Sequence, residues 1–162
     1  MPKIELITKI NAPVAICFDL ARSIDLHRIS TSHTSEEAIS GVTSGLIGLN
    51  EYVTWRAIHF GIRQTLSSKI TSFDRPYYFV DEQIQGAFKS IHHLHKFEEI
   101  NGVVVMTDYF EFSTPYGIFG RLFNALILTS YLRKLLLKRN EIIKQYAETD
   151  QWKLVLNEQE YA

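Results

Sequence analysis

Apolar and polar residues alternate with a period of two over Lys3–Ile10, where Ile4, Leu6, Thr8 and Ile10 recur against charged neighbours. That spacing predicts a strand with one wet face. Asn11-Ala12-Pro13 ends it, and Asn11 is placed to cap a helix whose first turn tolerates Pro13. Residues 14–21 and 25–29 read as two short helices, 34–40 as a weak strand and 41–48 as a loop. From residue 51 the alternation predicts strands over 51–59, 62–73, 77–85, 88–100 and 103–112. Turns fall at Phe60-Gly61, Gly86-Ala87 and Asn101-Gly102. Asn-Gly is the strongest of these hairpin signals, because both residues tolerate a positive φ.

Thr114-Pro115-Tyr116-Gly117 stops the sheet, and Phe119–Ala147 takes a helical period, roughly 43 Å long if unbroken. Leu122, Leu126, Leu132, Leu136, Ile143 and Ala147 mark one side. Its first half is apolar nearly all round, so it is deeply buried, kinked or self-associating, the last giving a homodimer. The sum is α+β: a bent seven-stranded antiparallel sheet wrapped around a long C-terminal helix, with two short helices after the first strand. One domain is expected over 1–149, followed by a mildly amphipathic, partly disordered tail over 150–162.

The turns fix which side chains share a face. With Asn101-Gly102 as the turn, paired residues sum to 203, so His95 faces Asp108, His93 faces Phe110 and Phe97 faces Met106. With Gly86-Ala87 as a two-residue turn, Glu82 faces Ile91 and Val80 faces His93. One mostly apolar face, taken as the concave one, then carries Glu82, His93, His95 and Asp108, unless a one-residue bulge shifts the register. Polar groups on an inward face cost free energy unless partnered. Such a face suggests a lined cavity more than a solid core.

The chain has 162 residues, 46% hydrophobic and 22% charged, with a formal net charge of −1. That balance gives no global positive field for nucleic acid. The single cysteine, Cys17, excludes an intrachain disulfide and fits a buried apolar position in a reducing compartment. Residues 122–137 are interrupted by Asn124, Arg133 and Lys134 and fall short of a membrane span, so no stable membrane insertion is expected. The start of the chain has no signal-peptide run, and a cytoplasmic location is expected.

Several residues together carry a resemblance to a known family. They are Val53-Thr54-Trp55-Arg56-Ala57 with His59-Phe60-Gly61, Phe73-Asp74-Arg75-Pro76, and Phe79-Val80-Asp81-Glu82-Gln83 with Gly86 and Phe88-Lys89. Further along come His93-x-His95-x-Phe97, Met106-x-Asp108, Pro115-x-Gly117, and Tyr131-Leu132-Arg133-x-Leu135-Leu136 with Arg139-Asn140. The combination resembles the START and pollen-allergen-like helix-grip superfamily (SRPBCC), and within it the bacterial ligand-binding SRPBCC proteins. Gly86-Ala87 and Ile91 stand where the family pattern often has a Gly-Pro step and an aromatic. The resemblance implies binding of a small hydrophobic molecule; some wider members are cyclases or aromatases.

Three function classes follow. The first is a non-enzymatic carrier or sensor that encloses a small hydrophobic molecule (lipid, polyketide or aromatic-like). Its expected lining is Trp55, Phe79, Glu82, His93, His95, Phe97, Met106, Asp108, Phe110, Leu122 and Leu126. The second is an enzyme of cyclase, aromatase or hydratase type, with His95–Asp108 as general base and Glu82 as acid. The third is an interaction module docking through the apolar half of the long helix. For the polar cluster itself, self-satisfaction, ligand orientation and a metal site stay open, since imidazoles at i and i+2 with carboxylates resemble zinc ligands. No second clustered motif supports a metal, and no metal or cofactor is assigned. Arg56 and His92 are expected on the outer face, and Arg133, Lys134, Lys138, Arg139 and Lys144 on the solvated side of the helix.

Overall fold

The computed structural model describes residues 1–115 and 117–162, and of Asn124 and Ala125 the backbone only. Strand β1 (Lys3–Ile10) leads into α1 (Val14–Ala21) and α2 (Ile24–Ser30). Five residues then form β2 (Glu37–Gly41), followed by β3 (Tyr52–His59), β4 (Ile62–Asp74), β5 (Tyr78–Gln85), β6 (Ser90–Ile100) and β7 (Val103–Ser113). A 31-residue helical stretch closes the fold, as α3 (Gly117–Phe123), a π-helical turn over Asn124–Leu128, and α4 (Thr129–Ala147). The strands form one antiparallel sheet in the order β1-β7-β6-β5-β4-β3-β2.

Local chemistry accounts for most of the boundaries. Ser23 caps α2 through its Oγ, which accepts from the Leu26 amide at 3.1 Å. Asn11 does not cap α1: the helix starts one residue after Pro13 with no side-chain cap, and the Asn11 amide donates to Glu148 instead. Asn101 and Gly102 both take positive φ, as do Phe60 and Gly61, so each pair turns its hairpin in two residues. Across Asn101-Gly102 the register follows as the arithmetic requires, with His95 opposite Asp108 and His93 opposite Phe110; across Phe60-Gly61, Trp55 lies opposite Leu66.

The β5–β6 hairpin departs from expectation. Strand β5 ends at Gln85 and β6 begins at Ser90, so the connection has four residues rather than two. Gln83 Nε2 donates to the Phe88 carbonyl at 2.8 Å across that loop. Asp81 therefore faces His93 and Glu82 faces His92, a one-residue slip that exchanges the two faces of β5. Phe79 and Asp81 turn inward; Glu82 does not.

Two buried clusters flank the inner face. In one, Phe18 of α1 meets Phe73, Phe79 and Phe97 edge-on at 5.3–5.4 Å. The other gathers Ile4, Leu6, Ile91, Phe110, Phe112, Leu128 and Leu136. The tail over 150–162 differs from the disorder expected of it. It forms two 3-10 turns and inserts Leu156 into the first cluster beside Trp152 and Tyr161. No helix among the described residues is long and apolar enough to cross a membrane.

Candidate ligand cavity and its polar floor

A cavity of about 790 Å³ lies between the sheet and the long helix, within the range of roughly 300–1,000 Å³ common for small-molecule sites. Trp55, Leu66, Ile70, Phe79, Ile91 and Phe110 line it from the sheet. Phe119, Phe123, Tyr131, Leu132 and Leu136 line it from the helix, and Ile24 and His27 from α2.

Along β6 the inward side chains run Ile91, His93, His95, Phe97, so the imidazoles sit between residues of the two apolar clusters. Asp108 is fully buried behind them. Its Oδ1 lies 2.9 Å from His93 Nε2 and 2.9 Å from His95 Nδ1. Its Oδ2 accepts from Asn140 Nδ2 at 2.6 Å. Arg139 Nη1 stands 3.5 Å from Asp108 Oδ1 and Nη2 donates to the Ala21 carbonyl at 3.0 Å. On the other side Asp81 Oδ2 lies 2.8 Å from His95 Nε2 and 3.7 Å from His93 Nδ1.

Burial alone would raise the Asp108 carboxyl, but hydrogen bonds from His93 and His95 and the Arg139 charge hold it well below the usual carboxylate range. Asp81 is held below its ordinary value against burial, first by the His95 hydrogen bond and also by the Arg139 charge. Burial, followed by the neighbouring His95, pushes His93 down to about 4, which keeps it neutral at pH 7.

Of the expected lining residues, Trp55, Phe79, His93, His95 and Phe110 border the cavity. Phe97 and Met106 are inward but packed solid in the first cluster. Asp108 forms the floor beneath the imidazoles without bordering the space itself. Glu82 lies on the other face because of the β5–β6 slip. Leu122 and Leu126 are 58% and 69% exposed, since the neighbouring Phe119 and Phe123 occupy the cavity side of that helical segment. Deep burial of the helix's first half is likewise not found: Ile118 and Phe119 are exposed too.

Asp81, Arg139 and Asn140 belong to the cluster and were not foreseen in it. Arg139 is buried, contrary to the solvated side expected for it. The signal lay in the helical stripe Leu136, Arg139, Asn140, Ile143 and Ala147, all buried at spacings of one to four. Arg56, by contrast, points outward and pairs with Glu37 at 2.8 Å. A second polar group at the far end was also missed. His59 Nδ1 is 2.7 Å from Tyr131 Oη, and His27 lies tilted against Trp55, ring centroids 4.2 Å apart, and stands 3.3 Å from Glu36.

Comparison with solved structures decides the architecture. The protein TTHA0849 from Thermus thermophilus superposes with a TM-score of 0.68 at 16% identity, covering 88% of this chain and 97% of that one. Ginseng major latex-like protein 151 from Panax ginseng gives 0.67 at 16% identity, covering 91% and 98%. Ara h 8.0201 gives 0.62 at 15% identity, covering 90% and 97%. The fold is the helix grip. Neither family models nor curated sequences match the chain, so the likeness is one of fold. In this helix grip the sheet supplies the two imidazoles and both carboxylates of the floor, and the gripped helix supplies Arg139 and Asn140.

Proposed function

We propose that this protein encloses a small, largely apolar molecule between sheet and helix as a non-enzymatic carrier or sensor. One observation carries the reading: a cavity of about 790 Å³ whose walls are mostly apolar and whose floor holds Asp81, His93 and His95. Apolar contact supplies affinity at roughly 25 cal/mol per Å² removed from water, and the floor orients a polar end of the ligand. The helix-grip likeness, and the SRPBCC resemblance in the sequence, support the same reading. Phe119 and Phe123 border the cavity and are themselves exposed, which supports entry at that end.

Native mass spectrometry of the purified chain tests it, together with titration by an apolar fluorophore such as anilinonaphthalene sulfonate. A retained small molecule, or one saturable fluorophore site weakened by Leu136→Trp, is expected. Absence of any saturable apolar site would overturn the proposal.

A further inference from the structure

The polar floor has a feature that ligand enclosure does not require. Three imidazole–carboxylate contacts are 2.9 Å or shorter: His93 Nε2 and His95 Nδ1 on Asp108, and His95 Nε2 on Asp81. His93 Nδ1 and His95 Nε2 both stand toward the Asp81 carboxylate, 3.7 and 2.8 Å from its Oδ2. Asp108 Oδ1 contacts both rings through their other nitrogens, His93 Nε2 and His95 Nδ1, and Arg139 Nη2 lies 3.5 Å from His95 Nδ1. Charge favours a cation beside Asp81. Asp81 and Asp108 are two carboxylates beside one guanidinium, Arg139, which approaches from the Asp108 side.

Distances fit a bound cation. One ligating atom from each of Asp81, His93 and His95 lies within 4.8 Å of the others. The rings project from the same face of β6 with centroids 3.7 Å apart. Two imidazoles and one carboxylate are a donor set for a borderline divalent cation, and an outer carboxylate that fixes the imidazole tautomers is the usual support for one. Asp108 has that relation to both histidines, and Asn140 and Arg139 hold Asp108 in turn.

We propose that Asp81, His93 and His95 form a binding site for a divalent transition-metal cation of the zinc type, oriented by Asp108. Asp81, His93 and His95 all border the cavity. Three protein ligands leave a coordination position open toward it, where water or an oxygen of an enclosed molecule would bind. The site stands apart from the carrier reading, because a cation can bind whether or not an apolar molecule does.

The test uses the tag-free full chain, stripped with EDTA and titrated with ZnCl2 by calorimetry and with CoCl2 by visible absorption. One saturable equivalent is expected, with the intense ligand-field bands of low-coordinate Co2+. Asp81→Asn, at a partly exposed position, and His95→Gln should each weaken binding tenfold or more. Asp108→Asn should weaken it about 10–100-fold through loss of imidazole orientation. His92→Gln, on the opposite face of β6, should leave binding unchanged. Circular dichroism establishes that each variant is folded. No saturable Zn2+ or Co2+ binding to the wild-type chain would overturn the proposal, and so would unchanged affinity in folded Asp81→Asn. Apolar-fluorophore binding, measured in parallel with and without ZnCl2, separates failure of this site from failure of the cavity.

Discussion

Asp81 lies opposite His93 in the β5–β6 ladder, yet its carboxylate reaches diagonally to His95, 2.8 Å from Nε2. Asp108 reaches the diagonal imidazole as well as the one opposite. It lies opposite His95 in the β6–β7 ladder, and His93 Nε2 bonds to it at 2.9 Å. The paired imidazoles are thus clasped from both neighbouring strands, and the clasp depends on the register of two hairpins.

That register can be tested through stability. Asp81→Ala removes the acceptor of a charge-assisted hydrogen bond and should cost about 1.5–3 kcal/mol. Glu82→Ala, one residue away on the other face, should change stability by no more than about 0.5 kcal/mol. Urea unfolding of the two variants reads the difference, and equal costs would mean that β5 pairs one residue out.

Asn140 joins the long helix to the sheet by donating to Asp108 Oδ2 at 2.6 Å. Truncation to Ala leaves a buried carboxylate oxygen without that donor, at a cost of about 1.5–3 kcal/mol. A double-mutant cycle with Asp108→Asn should show coupling of about 0.5–3 kcal/mol. Additive effects would place Asn140 outside the network.

Asp19 ties three parts of the chain together, bonding Arg22, Arg75 and the Tyr161 hydroxyl of the tail. Burial alone would raise its carboxyl, but hydrogen bonds from Arg75, Tyr161 and Arg22 outweigh it and hold the group below its ordinary value. A depressed folded value means the unfolded chain binds the proton more readily. The contribution is therefore present in full above the unfolded value, near ~3.9, and lost as pH falls through the folded one. Asp19→Asn should be less stable than wild type at neutral pH, and its unfolding free energy should fall less steeply below about pH 4. Parallel acid slopes in the two proteins would contradict this.

Cys17 is fully buried in α1, and burial pushes its thiol up to about 12. Reaction with a disulfide reagent at about pH 8 should be slow in the native protein and complete once guanidinium unfolds it. Rapid native labelling, followed by mass spectrometry, would show that α1 opens readily.

Where a turn is short and its residues carry their own backbone preference, sequence was enough. Asn101-Gly102 and Phe60-Gly61 fixed the β6–β7 and β3–β4 registers, and with them the facing of His95 and Asp108 and the inward position of Trp55. Period-two alternation ending in a long helical period gave the sheet and its gripped helix, because both periodicities are local properties of the chain. Gly86-Ala87 carried no comparable preference. The β5–β6 loop takes four residues, with its backbone held by Gln83 and paired to Ser113, so Asp81 replaces Glu82 on the inner face. Arg139 reads as solvated in sequence and becomes buried, since only the assembled floor offers the Asp108 charge and the Ala21 carbonyl that compensate its desolvation. Leu122 and Leu126 read as core and are exposed, because apolar character all round a helix does not say which side meets the sheet. The sequence by itself determined the strands, the two tight turns and the closing helix; the cavity, the diagonal carboxylate clasp and the buried guanidinium were decided by packing between residues distant in the chain.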